Sequence, residues 1–232
     1  MKMDLQEIKD LESEIGYTFK NKNLLIKALT HSSLVYEKKK SPFESNQRLE
    51  FLGDAALQIS VSEYLFHYYP NMPEGDLTKL RAKIVCEPNL KSTAQKLNFG
   101  KYILLGKGEA ETDGRRKASL LADCVESVIG AIYLDSGINR VKRFVLAHIE
   151  LSPENLKYNT DYKTALQEYV QRDSNYTVTY KKESESGPPH EKIFKVSVWH
   201  LQNKLGIGEG RSLKKAEQAS AEDALTKLGW KN

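Results

Sequence analysis

In residues 1–150 the apolar positions recur at three- and four-residue intervals, the period of a helix face turned toward a core. The spacing predicts helices over 5–15, 24–29, 48–68, 74–85, 88–97, 119–134 and 138–149. Asn23 stands where an N-cap would open the second of these, because its side-chain oxygen can accept an orphan N–H of the first turn. Pro70 closes the long third segment, since proline lacks the N–H that a continuing helix needs. Pro88 suits a first turn, and Asp135-Ser136-Gly137 separates the last two helices. No alternating run that would mark a strand stands out before residue 150.

The texture then changes. Residues 150–160 (ELSPENLKYNT) break the helical period and read as a linker. A helical stretch at 162–171 is followed by 176–181, rich in Thr, Val and Tyr. Residues 193–199 alternate, with Phe194, Val196 and Val198 on one face and Lys195 and Ser197 on the other. Residues 205–210 make a weaker third strand. Residues 212–228 close as a helix with Leu213, Ala216, Ala224, Leu225 and Leu228 on its apolar side. The expected architecture is an all-α domain over 1–149 and, after the linker, an α-β-β-β-α domain over 161–232.

Composition narrows the classes. With 232 residues, 40% hydrophobic and 28% charged, the chain has material for a core, which excludes wholesale disorder. Its longest apolar run, 128–134, is far short of the roughly 20 residues a bilayer span needs. Residues 1–14 are charged throughout, so no secretory leader is expected. Cys86 and Cys124 are the two cysteines, too few for a disulfide framework or a thiolate zinc site, and a reducing cytoplasm fits. The net charge of +4 leans only weakly toward a polyanionic partner.

The acids are more informative. Glu50 and Asp54 lie four residues apart in one predicted helix, and Asp123 and Glu126 three apart in another, so each pair projects from one helix face. Their neighbours, Leu49, Phe51, Leu52, Leu120, Leu121 and Val125 among them, are apolar. A carboxylate withdrawn from water without a partner is costly or takes up a proton. Two compensations are open at this point. The acids pair with cations such as Arg48, Arg81 or Lys83, or point outward; or they share a hard cation such as Mg²⁺, which oxygen-only ligands suit.

Residues 46–57, NQRLEFLGDAAL, closely resemble the signature of the ribonuclease III family. Thr30-His31-Ser32-Ser33 resembles that family's THxS, and Pro73-Glu74-Gly75-Asp76 its xEGD. Residues 121–137 (LADCVESVIGAIYLDSG) resemble its second acidic helix. Residues 161–168 (DYKTALQE) and 211–224 (RSLKKAEQASAEDA) resemble the two ends of a double-stranded-RNA-binding domain. The resemblance covers nearly the whole chain and matches the small bacterial type, one nuclease domain and one RNA-binding domain.

The resemblance implies a double-strand-specific endoribonuclease, cytoplasmic and homodimeric, dependent on Mg²⁺ with Mn²⁺ as a substitute. It implies staggered cuts with 5′-phosphate and 3′-hydroxyl ends, made in ribosomal-RNA precursors and other structured transcripts. Glu50, Asp54, Asp123 and Glu126 become the catalytic, metal-binding set, with Glu126 most directly tied to metal. Glu74 matches an acid near the cleavage valley. Phe51 matches an interface aromatic, whose plain alternative is ordinary core. Gln47 stands where the family usually has Glu, so that position keeps hydrogen bonding but loses a charge. His31 reads as a structural helix-end group, since no Ser/His/Asp or Cys/His nucleophile set accompanies it. No organic cofactor and no membrane are implied. A non-catalytic RNA-binding scaffold would be expected to lack at least one of the four acids, and all four are present.

A-form RNA hides its base edges, so a protein reads minor-groove 2′-hydroxyls and phosphates. Lys214 and Lys215 fall in the first turn of the last helix, where backbone N–H groups also favour phosphate. His190 matches the family's minor-groove loop residue. Thr164, Gln167 and Glu168 on the first helix of that domain offer hydrogen bonds to 2′-hydroxyls. Arg115 and Arg116, with Lys117, are candidate RNA contacts beside the acids, whereas Lys38, Lys39 and Lys40 read as a solvated loop. Residues 161–232 carry 12 basic and 10 acidic residues, so RNA binding there rests on placed cations rather than bulk charge.

Overall fold

The computed structural model describes residues 3–156, 162–171, 176–188 and 191–230. The chain divides into two compact units, 1–158 and 159–232, each described here by itself.

In the first unit, α1 (Leu5–Ile15) starts from a reciprocal cap in which Asp4 accepts the Glu7 N–H and Glu7 accepts that of Asp4. Helix α2 (Lys22–Ala28) is capped by Asn21, not Asn23: the Asn23 N–H donates to Asn21 Oδ1 at 3.1 Å, so the helix begins two residues earlier than the apolar pattern indicates. Next come α3 (Ser32–Glu37), α4 (Gln47–Tyr68), α5 (Glu74–Ile84) and α6 (Glu87–Lys96), then the short α7 (Phe99–Tyr102) and α8 (Lys107–Glu111). Helices α9 (Ala118–Ser136) and α10 (Ile138–His148) complete the unit. Among the described residues it has no strand, only an isolated parallel bridge between Thr30 and Leu104. With six, four and five residues, α3, α7 and α8 are too short to show a helical period.

Helix α9 is the axis of the unit. Val125, Val128, Ile129 and Ile132 are fully buried and share one core with Leu57, Val61 and Leu65 of α4. Asp135, near its end, collects the Tyr17 hydroxyl and the backbone N–H groups of Lys20 (2.8 Å) and Asn21 (3.0 Å), tying the α1–α2 loop to α9. In the stretch expected to be a linker, Leu151 and Leu156 are buried in this core, and Asn89 Nδ2 donates to the Glu150 carbonyl at 3.0 Å. No helix among the described residues is long and apolar enough to cross a membrane.

The second unit runs α11 (Tyr162–Gln171), β1 (Val178–Ser186), β2 (Ile193–His200), β3 (Asn203–Gly210) and α12 (Leu213–Lys227). The strands form an antiparallel sheet in the order β1-β2-β3, and Leu166, Val198, Ala221, Ala224 and Leu225 form the core between sheet and helices. Strand β1 extends well past residue 181. Its polar second half (KKESES) is exposed at every residue, so pairing with β2 rather than burial holds it extended. On α12, Leu213 and Leu228 are exposed rather than inward; Ala221 and Ser220 take the buried places.

The small residues have a reason. A Cβ at Gly206 or Gly208 would overlap backbone atoms of Ser220, and one at Gly210 would press on the Ala216 nitrogen at 2.6 Å. Alternate glycines thus let α12 lie directly on the β3 backbone, which is why β3 looks weak by side-chain pattern. Gly208→Ala should destabilise the protein by about 1–3 kcal/mol in denaturant unfolding. Gly75→Ala, with open space at its Cβ, should change it by no more than about 0.5 kcal/mol. Equal effects would mean that α12 does not pack this closely.

Candidate active site and nucleic-acid interface

Helices α4 and α9 meet backbone to backbone. A Cβ at Gly53 would overlap the Glu126 carbonyl, and one at Gly130 the Leu49 carbonyl. Each glycine lies three or four residues from an acid on its own helix, so the crossing draws the acids together. Glu50, Asp123 and Glu126 each present a carboxylate oxygen within 4.8 Å of the others, all partly buried. Asp54 lies one turn beyond Glu50, with both oxygens accepting from Gln58 Nε2 at 2.9 Å.

Nothing cationic compensates them. Among the described residues no lysine or arginine is ion-paired with these four acids; Arg48 lies over the Phe43 ring, and Arg81 donates to Ser62 Oγ at 3.0 Å. The electrostatic result is uniform in sign. Burial pushes the Glu126 carboxyl up to about 7, and Asp54, Asp123 and Glu50 add to it. Burial also raises Glu50, with repulsion from Asp123 and Asp54, and raises Asp123, with repulsion from Glu87. A crowded, oxygen-only, uncompensated cluster fits a divalent hard cation. Gly53, Gly130, Gln58 and Glu87 are site residues that sequence reasoning missed. The two glycines and Gln58 had a signal, helical spacing from an acid; Glu87 had none.

Other expected residues fall in varied settings. Phe51 is 82% exposed on α4, so the core alternative fails. Gln47 is exposed at the start of α4, and Glu74, in the first turn of α5, accepts from Thr78 Oγ1 at 3.0 Å. His31 caps α3, its Nδ1 accepting from the Ser33 N–H, as a structural role requires. Arg115 Nη1 donates to the carbonyls of Gly100, Lys101 and Ile103 at 2.8–3.1 Å, which staples the end of α7. Arg116 beside it is exposed.

In the second unit Lys214 and Lys215 are exposed in the first turn of α12, and Ser212 Oγ accepts the Lys215 N–H at 3.3 Å. Thr164 and Glu168 are exposed on α11. Gln167 Oε1 accepts the Val178 N–H at 3.0 Å, a bond that ties α11 to β1. His190 lies outside the described residues.

Comparison with known proteins agrees with this layout. A ribonuclease-III-like family model matches residues 21–151, and the double-stranded RNA binding motif matches 162–228. The chain is 47% identical over 226 residues to Ribonuclease 3 of Bacillus velezensis, covering 97% of this chain and 91% of that protein. It is 48% identical over 225 residues to Ribonuclease 3 of Bacillus licheniformis, covering 96% and 90%. A solved structure of the ribonuclease III nuclease domain from Campylobacter jejuni is similar at 44% identity and a TM-score of 0.57, over 62% of this chain and 93% of that one. A helical unit with an acidic cluster, joined to a double-stranded-RNA-binding unit, defines a two-domain RNA nuclease. The chain belongs to the ribonuclease III family, the double-strand-specific endoribonucleases.

The raised Glu126 carboxyl has a thermodynamic consequence. The folded protein holds this proton more tightly than the unfolded chain, so the stability it contributes is present at low pH and is lost as pH rises from about 4.5 to about 7. In thermal melts without divalent metal, Glu126→Gln should melt roughly 2–4 °C above the parent at pH 8. At pH 5 the two should coincide. A parent that is equally or more stable at pH 8 would show that the carboxylates do not repel one another.

Proposed function

We propose that this chain hydrolyses phosphodiester bonds of double-stranded RNA with Mg²⁺, Mn²⁺ serving as a substitute, and leaves 5′-phosphate and 3′-hydroxyl ends. The observation that carries the reading is the convergence of Glu50, Asp123 and Glu126, ion-paired to no lysine or arginine among the described residues, on the two helices of a family nuclease domain. Glu50, Asp54, Asp123 and Glu126 would hold the metal, with Gln58 orienting Asp54. Bound there, Mg²⁺ supplies Lewis-acid chemistry, lowering the pKa of water and drawing charge from phosphate oxygens. The exposed Glu74 and Gln47 flank this region as accessory polar groups, and Arg116 offers a cation to the RNA backbone.

In the second unit Lys214 and Lys215 bind phosphates at the N-terminus of α12, while Thr164, Glu168 and His190 address 2′-hydroxyls. The domains are taken as 1–149 and 161–232 with 150–160 as their connection, the part of it up to Leu156 packed on the first domain. Two copies act together. Phe51, Ala55, Ile59 and Phe66 form an exposed, largely apolar stripe along α4, the helix that also carries Glu50 and Asp54. Pairing two copies along this stripe supports a homodimer whose two sites cut opposite strands with a stagger. Ribosomal-RNA precursors and other structured transcripts in the cytoplasm are the proposed substrates.

With Mg²⁺ and a long RNA duplex, the parent should cut and Glu126→Gln should lose at least about 100-fold in cleavage rate while binding duplex normally. An uncut duplex with the parent, or full activity in the variant, sinks the assignment. Lys214→Ala with Lys215→Ala should weaken duplex binding and lower the slope of log affinity against log salt by about 2. In sedimentation, Phe51→Asp should convert a dimer to a monomer; an unchanged mass places the interface elsewhere.

A further inference from the structure

Alternation along β2 turns Val196 and Val198 toward the helices and Ser197 and Trp199 to the opposite face of the sheet. That outer face is organised around Trp199. Its Nε1–H donates to Ser197 Oγ at 2.7 Å, two residues back on the same strand, which lays the indole along the sheet above a fully buried hydroxyl. Ser197 Oγ donates onward to Glu183 Oε1, and Lys204 Nζ reaches the same oxygen at 3.2 Å. Glu183 is the additional residue where the β1–β2 register shifts between Lys182 and Ser184, a bulge that re-aims a side chain. Lys181 on β1 and Lys204 on β3 lie over the ring in cation–π contact, their ammonium nitrogens 4.8 and 5.8 Å from its centroid.

We infer that this outer face binds single-stranded RNA, one base stacking on Trp199 in the place the two ammonium groups take in the free protein, with Lys181 and Lys204 moving onto the neighbouring phosphates. An indole face that holds ammonium groups also accepts any base, and the displaced cations match the charge of the adjoining backbone. Ser197 and Glu183 fix the ring before binding, so little side-chain freedom is lost when a base stacks. The face lies across the sheet from α11 and the N-terminus of α12, so it adds to duplex binding and does not compete with it.

The test uses the full chain without divalent metal, carrying Trp230→Phe so that Trp199 is the remaining tryptophan of two. The probe is an oligoadenylate of about ten nucleotides, within the site size of single-strand binders. Saturable quenching of Trp199 emission is expected, weakening with salt and persisting in Lys214→Ala/Lys215→Ala. Lys181→Ala with Lys204→Ala should lower the apparent affinity roughly tenfold while leaving duplex binding unchanged, which also shows that variant to be folded. With Trp230 native, the anisotropy of a labelled oligoadenylate should report a comparable loss in Trp199→Leu. Absence of saturable binding, or binding that vanishes with Lys214 and Lys215, overturns the inference. So does assembly beyond a dimer that Trp199→Leu abolishes, since the face would then join copies of the chain.

Discussion

Helices packed through ordinary side chains keep their axes 8–10 Å apart, and at Gly53 and Gly130 this protein removes the side chains that would do so. The backbones of α4 and α9 touch, and groups one turn away on each are forced into a shared volume. Those groups are carboxylates. The repulsion that results, visible in the raised carboxyls of Glu50, Asp123 and Glu126, is opposed by the apolar packing of Leu57, Val61 and Leu65 against α9. Hydrophobic burial therefore holds an acid cluster in a state that electrostatics alone would disperse, an arrangement that suits a divalent cation.

The second unit uses the same device with a different outcome. Three alternate glycines on β3 bring the α12 backbone onto the sheet, but no charges converge there. The close contact sets the height and direction of the helix, and with it the place where Lys214 and Lys215 meet solvent. In one unit backbone contact concentrates charge; in the other it aims charge outward.

Much of this was legible in the residues. The long helices follow from three- and four-residue spacing, and the acid pairs from their positions within those helices. Spacing could not show that two pairs 70 residues apart meet, because that depends on which faces pack, and the glycines that decide it carry no side chain to read. Short helices failed for lack of period, and the second half of β1 because it buries nothing. Gln167 and Arg115 show a subtler limit. Polar side chains able to bind RNA are equally able to satisfy the chain's own N–H and carbonyl groups, and their backbone partners are anonymous in a sequence.

The Asp135 hub links residues 17–21 to the far end of α9, and the site likewise needs α9 beside α4. During synthesis, at about 5–20 residues per second, α4 leaves the ribosome several seconds before Glu126 does. In that interval both of its apolar faces, the inward one and the stripe bearing Phe51, lack a cover. The nascent chain thus carries two carboxylates of a nuclease without the other two. The acid cluster therefore forms late and all at once, when α9 packs onto a helix that has waited for it.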